Sequence, residues 1–198
     1  MDVRKPRAIR RRPGHDLGMD QGFHIFQTTL GWAGLAWGGQ GLIGSSLPES
    51  DRERVLARTR RRFPDAVESD DPPAEIRRAV EEISALLSGA RPTLAEVRID
   101  EARVPEFARR VYALARAIPP GSTRTYGELA TELGDRLLAR EVGQALGANP
   151  WPIVVPCHRI TAAKGRLGGF SAPGGQQTKL RLLAIEGAPA AAQGDLFG

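Results

Sequence analysis

The chain has 198 residues, with 41% hydrophobic and 26% charged side chains, an ordinary balance for a globular protein with a core. Its net charge is +5, and residues 104–188 carry eleven basic against six acidic side chains, which suggests either a polyanionic partner or a merely solvated basic surface. No apolar stretch approaches the roughly 20 residues that span a bilayer, so a membrane protein is excluded. A single cysteine excludes a disulfide framework and favours a reducing, cytoplasmic setting.

The N-terminal half shows the pattern of a small α+β unit. Residues 1–22 are basic and aperiodic, so we expect a disordered arm. Three β-like runs separated by glycine-containing turns follow, over 23–28, 32–37 and 42–47. A charged helix is predicted over 49–63, a second helix after a Pro-Pro pair, and a half-exposed strand around Val97 and Ile99. Residues 23–103 carry no evident catalytic constellation, and their expected role is scaffolding.

Residues 104–188 are predicted to be mostly helical. A first helix stops at a Pro-Pro-Gly sequence, and Thr125 with Glu128 three residues later is typical of a capping box. The next helix starts at Tyr126, and a tight turn joins it to another short helix. This pair is a candidate helix-turn-helix whose second member is sized for a DNA groove, and the alternative is a helix pair that binds no DNA, as most do not. The apolar run 153–155 predicts a buried strand that leads to the cysteine.

Cys157 is the candidate nucleophile, and His158 stands directly beside it. A thiol with an ordinary pKa of roughly 8.5 is mostly protonated at neutral pH, so this role needs a base or a positive field. Neighbouring side chains on a strand point to opposite faces, so we expect His158 to reach the sulfur through a turn or a bridging water. Glu186 is the candidate carboxylate that orients the imidazole. From these residues alone, an inert buried cysteine beside a structural histidine is the alternative.

The sequence around the cysteine resembles the O6-alkylguanine-DNA alkyltransferases. The resemblance rests on Pro156-Cys157-His158-Arg159-Ile160, with Asn149-Pro150 upstream and a glycine-rich loop and a helix ending Leu182-Leu183-Ala184-Ile185-Glu186-Gly187 downstream. The implied fold class is α+β: a small ribonuclease-H-like α/β N-terminal domain over 23–103, resembled only in outline, and a mostly helical C-terminal domain with a helix-turn-helix over 104–188. A disordered basic tail over 1–22 and a flexible tail over 189–198 complete the expected organisation.

The resemblance implies a suicide DNA repair alkyltransferase that flips a base and moves the alkyl group from O6 of guanine irreversibly to the cysteine. O4 of thymine is a second candidate substrate. The implied catalytic residues are Cys157, His158, Glu186, Asn149 and Tyr126. The implied DNA contacts are Tyr126, Arg140, Gly143, Gln144 and Ala145. The implied substrate pocket consists of Val155, Pro156, Phe170 and Ser171. The implied partner is double-stranded DNA carrying O6-alkylguanine, bound by a monomer without cofactor or metal.

Two departures from the family pattern concern the pocket and the DNA contact. Phe170 stands where many relatives have a tyrosine, and Ala148 stands where a basic residue is common. Two other functions compete with alkyl transfer. A lesion sensor would flip damaged bases without transferring the group, but relatives of that kind lack the cysteine. A Cys-His hydrolase would need an oxyanion hole and would leave the helix-turn-helix unexplained.

The C-terminal tail carries a separate motif. Its residues resemble the short peptides by which bacterial DNA-processing proteins dock on the sliding clamp, and the matching positions are Gln193, Asp195, Leu196 and Phe197. Docking on such a clamp is one hypothesis for this tail. The alternative is a tail that folds back onto the protein.

Overall fold

The computed structural model describes residues 21–188 as an α+β arrangement with a four-stranded sheet, a short two-stranded pairing and six α-helices. The expected α+β class is therefore confirmed. Residues 1–20 and 189–198 lie outside this range, so the hypotheses on the basic arm and on the clamp motif stay predictions. Within the described part of the chain, no helix is both long enough and apolar enough for a bilayer crossing.

The sheet is built from the three strands that the sequence predicts. These are β1 (Gly22–Thr28), β2 (Gly31–Gly38) and β3 (Gly41–Glu49), which form an antiparallel meander. A short β4 (Val67–Glu68) pairs in parallel with β1, so the order across the sheet is β3-β2-β1-β4. Gly31, at φ +123°, closes the first hairpin; a Cβ there would overlap the carbonyl oxygen of Glu49, so the turn requires glycine.

Two helices complete the N-terminal half. They are α1 (Arg52–Arg62) and α2 (Ala74–Leu87). The side chain of Asp51 accepts a hydrogen bond from the backbone of Glu53 at 2.9 Å and so caps α1. The helix begins three residues after the predicted start because Glu49 still belongs to β3. The buried side chains of α2 follow helical spacing and enter the core, as the sequence predicts.

The strand predicted around Val97 and Ile99 is wrong. This segment makes a single parallel bridge, between Leu42 and Ile99, and the backbone N–H of Asp100 donates to the carbonyl of Leu42 at 2.8 Å. Leu94, at φ +56°, turns the chain just before it, and the backbone of Val97 bonds back to that turn. The alternating segment is therefore too short to form more than one bridge with β3.

The C-terminal half is mostly helical, as predicted. It contains α3 (Glu106–Arg116), α4 (Tyr126–Glu132), α5 (Ala139–Gly147) and α6 (Gly175–Ile185), with a parallel pairing of β5 (Arg124–Thr125) and β6 (Ile160–Thr161). The predicted capping box is confirmed: Thr125 Oγ1 accepts from the backbone of Glu128 at 3.2 Å, and the Glu128 carboxylate accepts from the backbone of Thr125 at 2.5 Å. A 3-10 turn over Arg136–Leu138 joins α4 to α5.

The strand predicted over 153–155 is also wrong, because the chain turns there. Ile153 has φ +77°, and the backbone N–H of Val155 donates to the carbonyl of Trp151 at 2.7 Å. All three residues of the run are buried, so the apolar pattern indicated burial correctly but did not indicate an extended strand conformation. Cys157 consequently opens a 3-10 turn, Cys157–Arg159, and does not follow a strand.

One hydrophobic core crosses the predicted domain boundary at residues 103 and 104. It includes Phe26 and Leu42 from the sheet together with Val111 and Val155 from the helical half. A smaller cluster lies between α1 and the sheet. The indole N–H of Trp151 donates to the carbonyl of Leu42 at 2.7 Å, so the turn before the cysteine is tied directly to β3. The two predicted domains thus share packing, and the boundary itself stays a prediction.

Candidate active site around Cys157

Cys157 is half-buried and lines a cavity of about 940 Å³ between the two halves of the chain. Such a volume falls within the range of roughly 300–1,000 Å³ that is usual for ligand pockets. Ser45 and Arg62 line it from the N-terminal half, and Tyr126 and Arg140 line it from the helical half. The cysteine is therefore open to a ligand of nucleobase size.

The turn that carries the cysteine is braced by Asn149. The Nδ2 group of Asn149 donates to the carbonyl of Val155 at 2.8 Å, and its Oδ1 accepts from the backbone of Trp151 at 2.9 Å. Ser45 Oγ holds the same turn from outside by donating to the carbonyl of Pro152 at 2.8 Å. These bonds offset the unfavourable left-handed conformation of Ile153, which a β-branched residue rarely adopts.

A buried ionic cluster lies beneath the cysteine. His158 Nε2 lies 2.9 Å from Glu186 Oε1, and Arg159 makes two bonds to the same carboxylate, at 2.8 and 2.9 Å. All three side chains are about 1% exposed or less. The third contact of Arg159 goes to the carbonyl of Ile118 at 2.5 Å. The arrangement compensates each buried charge with a hydrogen-bonded partner.

The protonation states in this cluster follow from its geometry. Burial alone would raise the pKa of Glu186, but hydrogen bonds from His158 and Arg159 and the charges of these groups lower it to about 2. Burial lowers the pKa of His158, more than the carboxylate raises it, so the imidazole is neutral at pH 7. The carboxylate is an acceptor, so Nε2 carries the proton. Nδ1 of His158 has no partner among residues 21–188 and is the nitrogen that can accept one.

The thiol itself is held in its protonated form. Burial raises the pKa of Cys157, while a hydrogen bond from Asn149, the charge of Lys179 and the backbone N–H groups of Cys157 and His158 lower it by less. A nucleophilic role therefore requires proton removal when the substrate is bound. The neutral imidazole at the next position in the chain is a suitable acceptor.

Lys179 is a site residue that sequence reasoning missed. Its side chain is fully buried in α6, and its ammonium group donates to the carbonyl of Ile160 at 2.5 Å. The same group lies 5.8 Å from the ring centroid of Tyr126 and 6.0 Å from that of Phe170. Burial lowers its pKa to about 8, although Cys157 raises it. A signal was present, because Lys179 falls on the helix face that also carries Leu182, Leu183 and Glu186.

Arg159 is a second residue that received no role from the sequence. It lies within the motif that carries the family resemblance, and it neutralises the buried Glu186 carboxylate. An arginine next to a histidine gives no sequence signal of burial, because arginine is mostly exposed in proteins. Only the tertiary contact identifies its partner.

An aromatic wall lines one side of the cavity. Tyr126 begins α4, and its hydroxyl donates to the carbonyl of Gly169 at 3.2 Å. Phe170 lies in the same loop, and Ser171 Oγ donates to the carbonyl of Gly147 at the end of α5. Burial raises the pKa of Tyr126, so the phenol remains a hydrogen-bond donor across the neutral range. Tyr126, Phe170 and Ser171 therefore share one face of the cavity.

The remaining predicted residues divide into those inside and those outside the cavity. Arg140 is exposed on α5 and lines the cavity together with Gly143. Gln144 is exposed and Ala145 is half-buried on the same helix, but neither belongs to the cavity wall. Two predicted pocket residues, Val155 and Pro156, are buried behind the wall. Their carbonyls already accept from the backbones of Cys157 and Arg159, at 2.8 and 2.9 Å.

The chain is similar to proteins named as methyltransferases of methylated DNA. The family model described as the DNA-binding domain of 6-O-methylguanine DNA methyltransferase matches residues 106–188. A methylated-DNA–protein-cysteine methyltransferase of Mycolicibacterium paratuberculosis is 46% identical over 109 residues, covering 54% of this chain and 63% of that protein. A protein of the same name from Methanothermobacter thermautotrophicus is 32% identical over 154 residues, or 78% of each chain.

A solved structure extends this similarity to the fold. The crystal structure of Mycobacterium tuberculosis OGT in complex with DNA superposes with a TM-score of 0.66 at 30% identity, covering 85% of this chain and 96% of that one. The similarity therefore includes the N-terminal half as well as the segment around Cys157. With a relative above 30% identity aligned over more than two thirds of its length, the chain belongs to the O6-methylguanine DNA methyltransferase family.

Proposed function

We propose that this protein is a suicide DNA repair alkyltransferase that moves the alkyl group from O6 of guanine in duplex DNA to Cys157. The observation that carries the proposal is a half-buried thiol on the wall of a cavity large enough to admit a nucleobase, next in the chain to a buried, neutral imidazole held by a carboxylate. Family membership and the DNA complex of the M. tuberculosis relative support the same reaction. O4 of thymine is a secondary substrate in this proposal.

The proposed chemistry is a single displacement. His158 Nδ1 accepts the proton of the Cys157 thiol through a bridging water, and Glu186 stabilises the imidazolium that forms. The sulfur then attacks the alkyl carbon, the bond between that carbon and O6 breaks, and its electron pair stays on the oxygen. The leaving guanine takes up one proton, which the His158 imidazolium returns through water, and Tyr126 donates a hydrogen bond to the guanine as it leaves. The product is a thioether, so each protein molecule acts once.

DNA is proposed to reach the cysteine through α4 and α5, acting as a helix-turn-helix in the minor groove. A base within the duplex must be flipped out, at a cost of a few kcal/mol. Tyr126 crowds the phosphate of the target nucleotide, and Arg140 fills the vacated place in the stack. Gly143, Gln144 and Ala145 then form the close approach to the groove. The exposure of Arg140 on the cavity rim and the absence of a side chain at Gly143, beside Tyr126, support this arrangement.

Several finer expectations belong to the same proposal. The sheet order β3-β2-β1-β4 with two helices is compatible with a ribonuclease-H-like unit over residues 23–103. Asn149 acts by bracing the cysteine turn, while Phe170 and Ser171 bound the alkyl pocket and Val155 and Pro156 back it. In this proposal the protein is a monomer, it acts in the cytoplasm, and its C-terminal tail docks on a sliding clamp.

Intact-protein mass spectrometry tests the reaction. The protein is incubated with duplex DNA carrying one O6-methylguanine, with Cys157→Ser and an unmethylated duplex as controls. We expect the wild type alone to gain the mass of one methylene and to saturate at one equivalent per protein. Tight binding of the methylated duplex without a mass change would overturn the proposal in favour of a lesion sensor. Repeated turnover on an ester substrate would overturn it in favour of a hydrolase.

A further inference from the structure

Arg62 lies on the wall of the cavity that is formed by the N-terminal half, opposite the wall formed by α5. It is the last residue of α1, and its side chain reaches across to the helical half. Its Nη1 donates to the carbonyl of Ser45 at 3.3 Å, and its Nη2 donates to the carbonyl of Pro150 at 3.1 Å. The guanidinium group therefore stands at the cavity rim, next to the turn that carries the cysteine.

The charge of Arg62 has no carboxylate partner among residues 21–188. Arg136 and Arg140, on the opposite wall, are also outside ion-pair distance of any acid in the described chain. Arg58, one turn earlier on α1, also lines the cavity, but its charge is compensated because it forms an ion pair with Glu49 at 2.6 Å. The cavity rim thus carries three uncompensated cations, one from the N-terminal half and two from the helical half.

The hydrogen-bond capacity of Arg62 is also incompletely used. A guanidinium offers five N–H donors, and the two contacts to carbonyl oxygens use two of them. An arginine with spare donors and no acidic partner matches the requirements of a phosphate oxygen. Most protein contacts with nucleic acid go to the backbone, where such groups fix the position of the strand.

We propose that Arg62 binds a DNA backbone phosphate from the N-terminal side of the cavity, so that the nucleotide entering it is held between two arginine-bearing walls. This inference rests on the proposed function, because it takes duplex DNA as the ligand of the cavity. It assigns the N-terminal half a direct contact with DNA, in addition to its packing against the cysteine turn. Arg62 is a binding residue in this scheme and takes no part in the chemical step.

The salt dependence of DNA binding tests the contact. Affinity for a duplex carrying O6-methylguanine is measured between about 50 and 200 mM salt in a Cys157→Ser background, where no transfer consumes the protein. The variants are Arg62→Gln, Arg62→Lys and Arg61→Gln. Arg61 is exposed on the same helix but does not line the cavity, so it is the matched control for loss of one charge.

The expected result is specific to a phosphate contact. Each lost phosphate contact makes the negative slope of log affinity against log salt less steep by about 0.9. The ratio of the affinity of the parent to that of Arg62→Gln therefore falls about 3.5-fold from about 50 to 200 mM salt. Arg62→Lys retains the slope, and Arg61→Gln changes neither affinity nor slope. An Arg62→Gln protein that binds more weakly with an unchanged slope would overturn the inference, because it would show a purely structural role. An unchanged affinity would overturn it as well.

Failure of the inference is distinguishable from failure of the proposed function. The proposed function is tested by methyl transfer to the wild-type protein, in which Cys157 and Arg62 are both intact, and this transfer is measured by mass spectrometry. If that protein transfers the methyl group while Arg62→Gln keeps the parent salt slope, only the phosphate contact is withdrawn. If the unaltered protein neither binds nor reacts with the methylated duplex, both proposals fail.

Discussion

Replacing Glu186 by glutamine removes the one carboxylate of the buried cluster and should cost about 3 kcal/mol of folding free energy at pH 7. The pKa of Glu186 is lowered from 4.5 to about 2, and each tenfold change in proton affinity corresponds to about 1.4 kcal/mol. Removing one partner of a buried ion pair usually lowers the free energy of unfolding by about 3–5 kcal/mol, which is the same magnitude. The loss arises because Arg159 would stay buried without its counter-charge.

The pH dependence of this loss has a definite sign. A carboxyl group with a lowered pKa stabilises the fold fully above its unfolded pKa of 4.5, and this contribution disappears as the pH falls toward about 2. A protonated carboxyl resembles the amide of glutamine, so the two proteins should converge in acid. The difference in unfolding free energy should fall from about 3 kcal/mol at pH 7 to about 1 kcal/mol at pH 3.

Urea unfolding of the wild type and of Glu186→Gln at both pH values measures the difference. The matched control is Glu132→Gln, because Glu132 pairs with Arg124 at 2.6 Å on the surface with its side chain 45% exposed. This control should lose less than about 1 kcal/mol. A Glu186→Gln protein as stable as the control at pH 7 would refute the reasoning. So would a difference that stays the same at pH 3.

Two further substitutions probe the environment of the thiol. Lys179→Met removes a positive charge that lowers the pKa of Cys157, so the pH–rate profile of this thiol with iodoacetamide should be lower around pH 7, where Lys179 with its pKa of about 8 is still charged, whereas Lys164→Met, at an exposed position, should leave the profile unchanged. Equal profiles for the two variants would contradict this view of Lys179. Asn149→Ala removes the brace of the cysteine turn and should cost about 1–3 kcal/mol in urea unfolding and slow methyl transfer. Retention of both properties would show that the turn holds without it.

Local signals in the sequence predicted much of the site. The capping box at Thr125 and the helical spacing of α6 depend on residues within a few positions, so they can be read without tertiary information. The pairing of His158 with Glu186, 28 residues apart, followed from chemical type and family resemblance, and the structure brings the two within 2.9 Å. These elements are ones in which local preference and the final fold agree.

The errors arise where distant contacts override local preference. The apolar run 153–155 has the composition of a strand, but bonds from Ser45, more than a hundred residues earlier, hold the segment as a turn. The spacing in α6 shows that Lys179 shares a face with buried residues, but its contacts with the carbonyl of Ile160 and with two aromatic rings come from distant segments and could not be predicted. Arg62 could not be distinguished by sequence from its charged neighbours in α1, because only the structure shows that it lines the cavity and that Arg58, which also lines it, is paired with Glu49.

The bond between Trp151 and Leu42 gives the molecule a built-in optical probe. The indole is 1% exposed, lies edge-on to the ring of Tyr112 at 6.0 Å, and stands six residues before Cys157 in the chain. Indole emission responds to hydration and to nearby packing, so its wavelength reports separation of the two halves. Three tryptophans are present, and replacing Trp32 and Trp37 with phenylalanine would isolate this signal. Separation of the two halves during unfolding could then be followed by the fluorescence of the protein itself, without an added label.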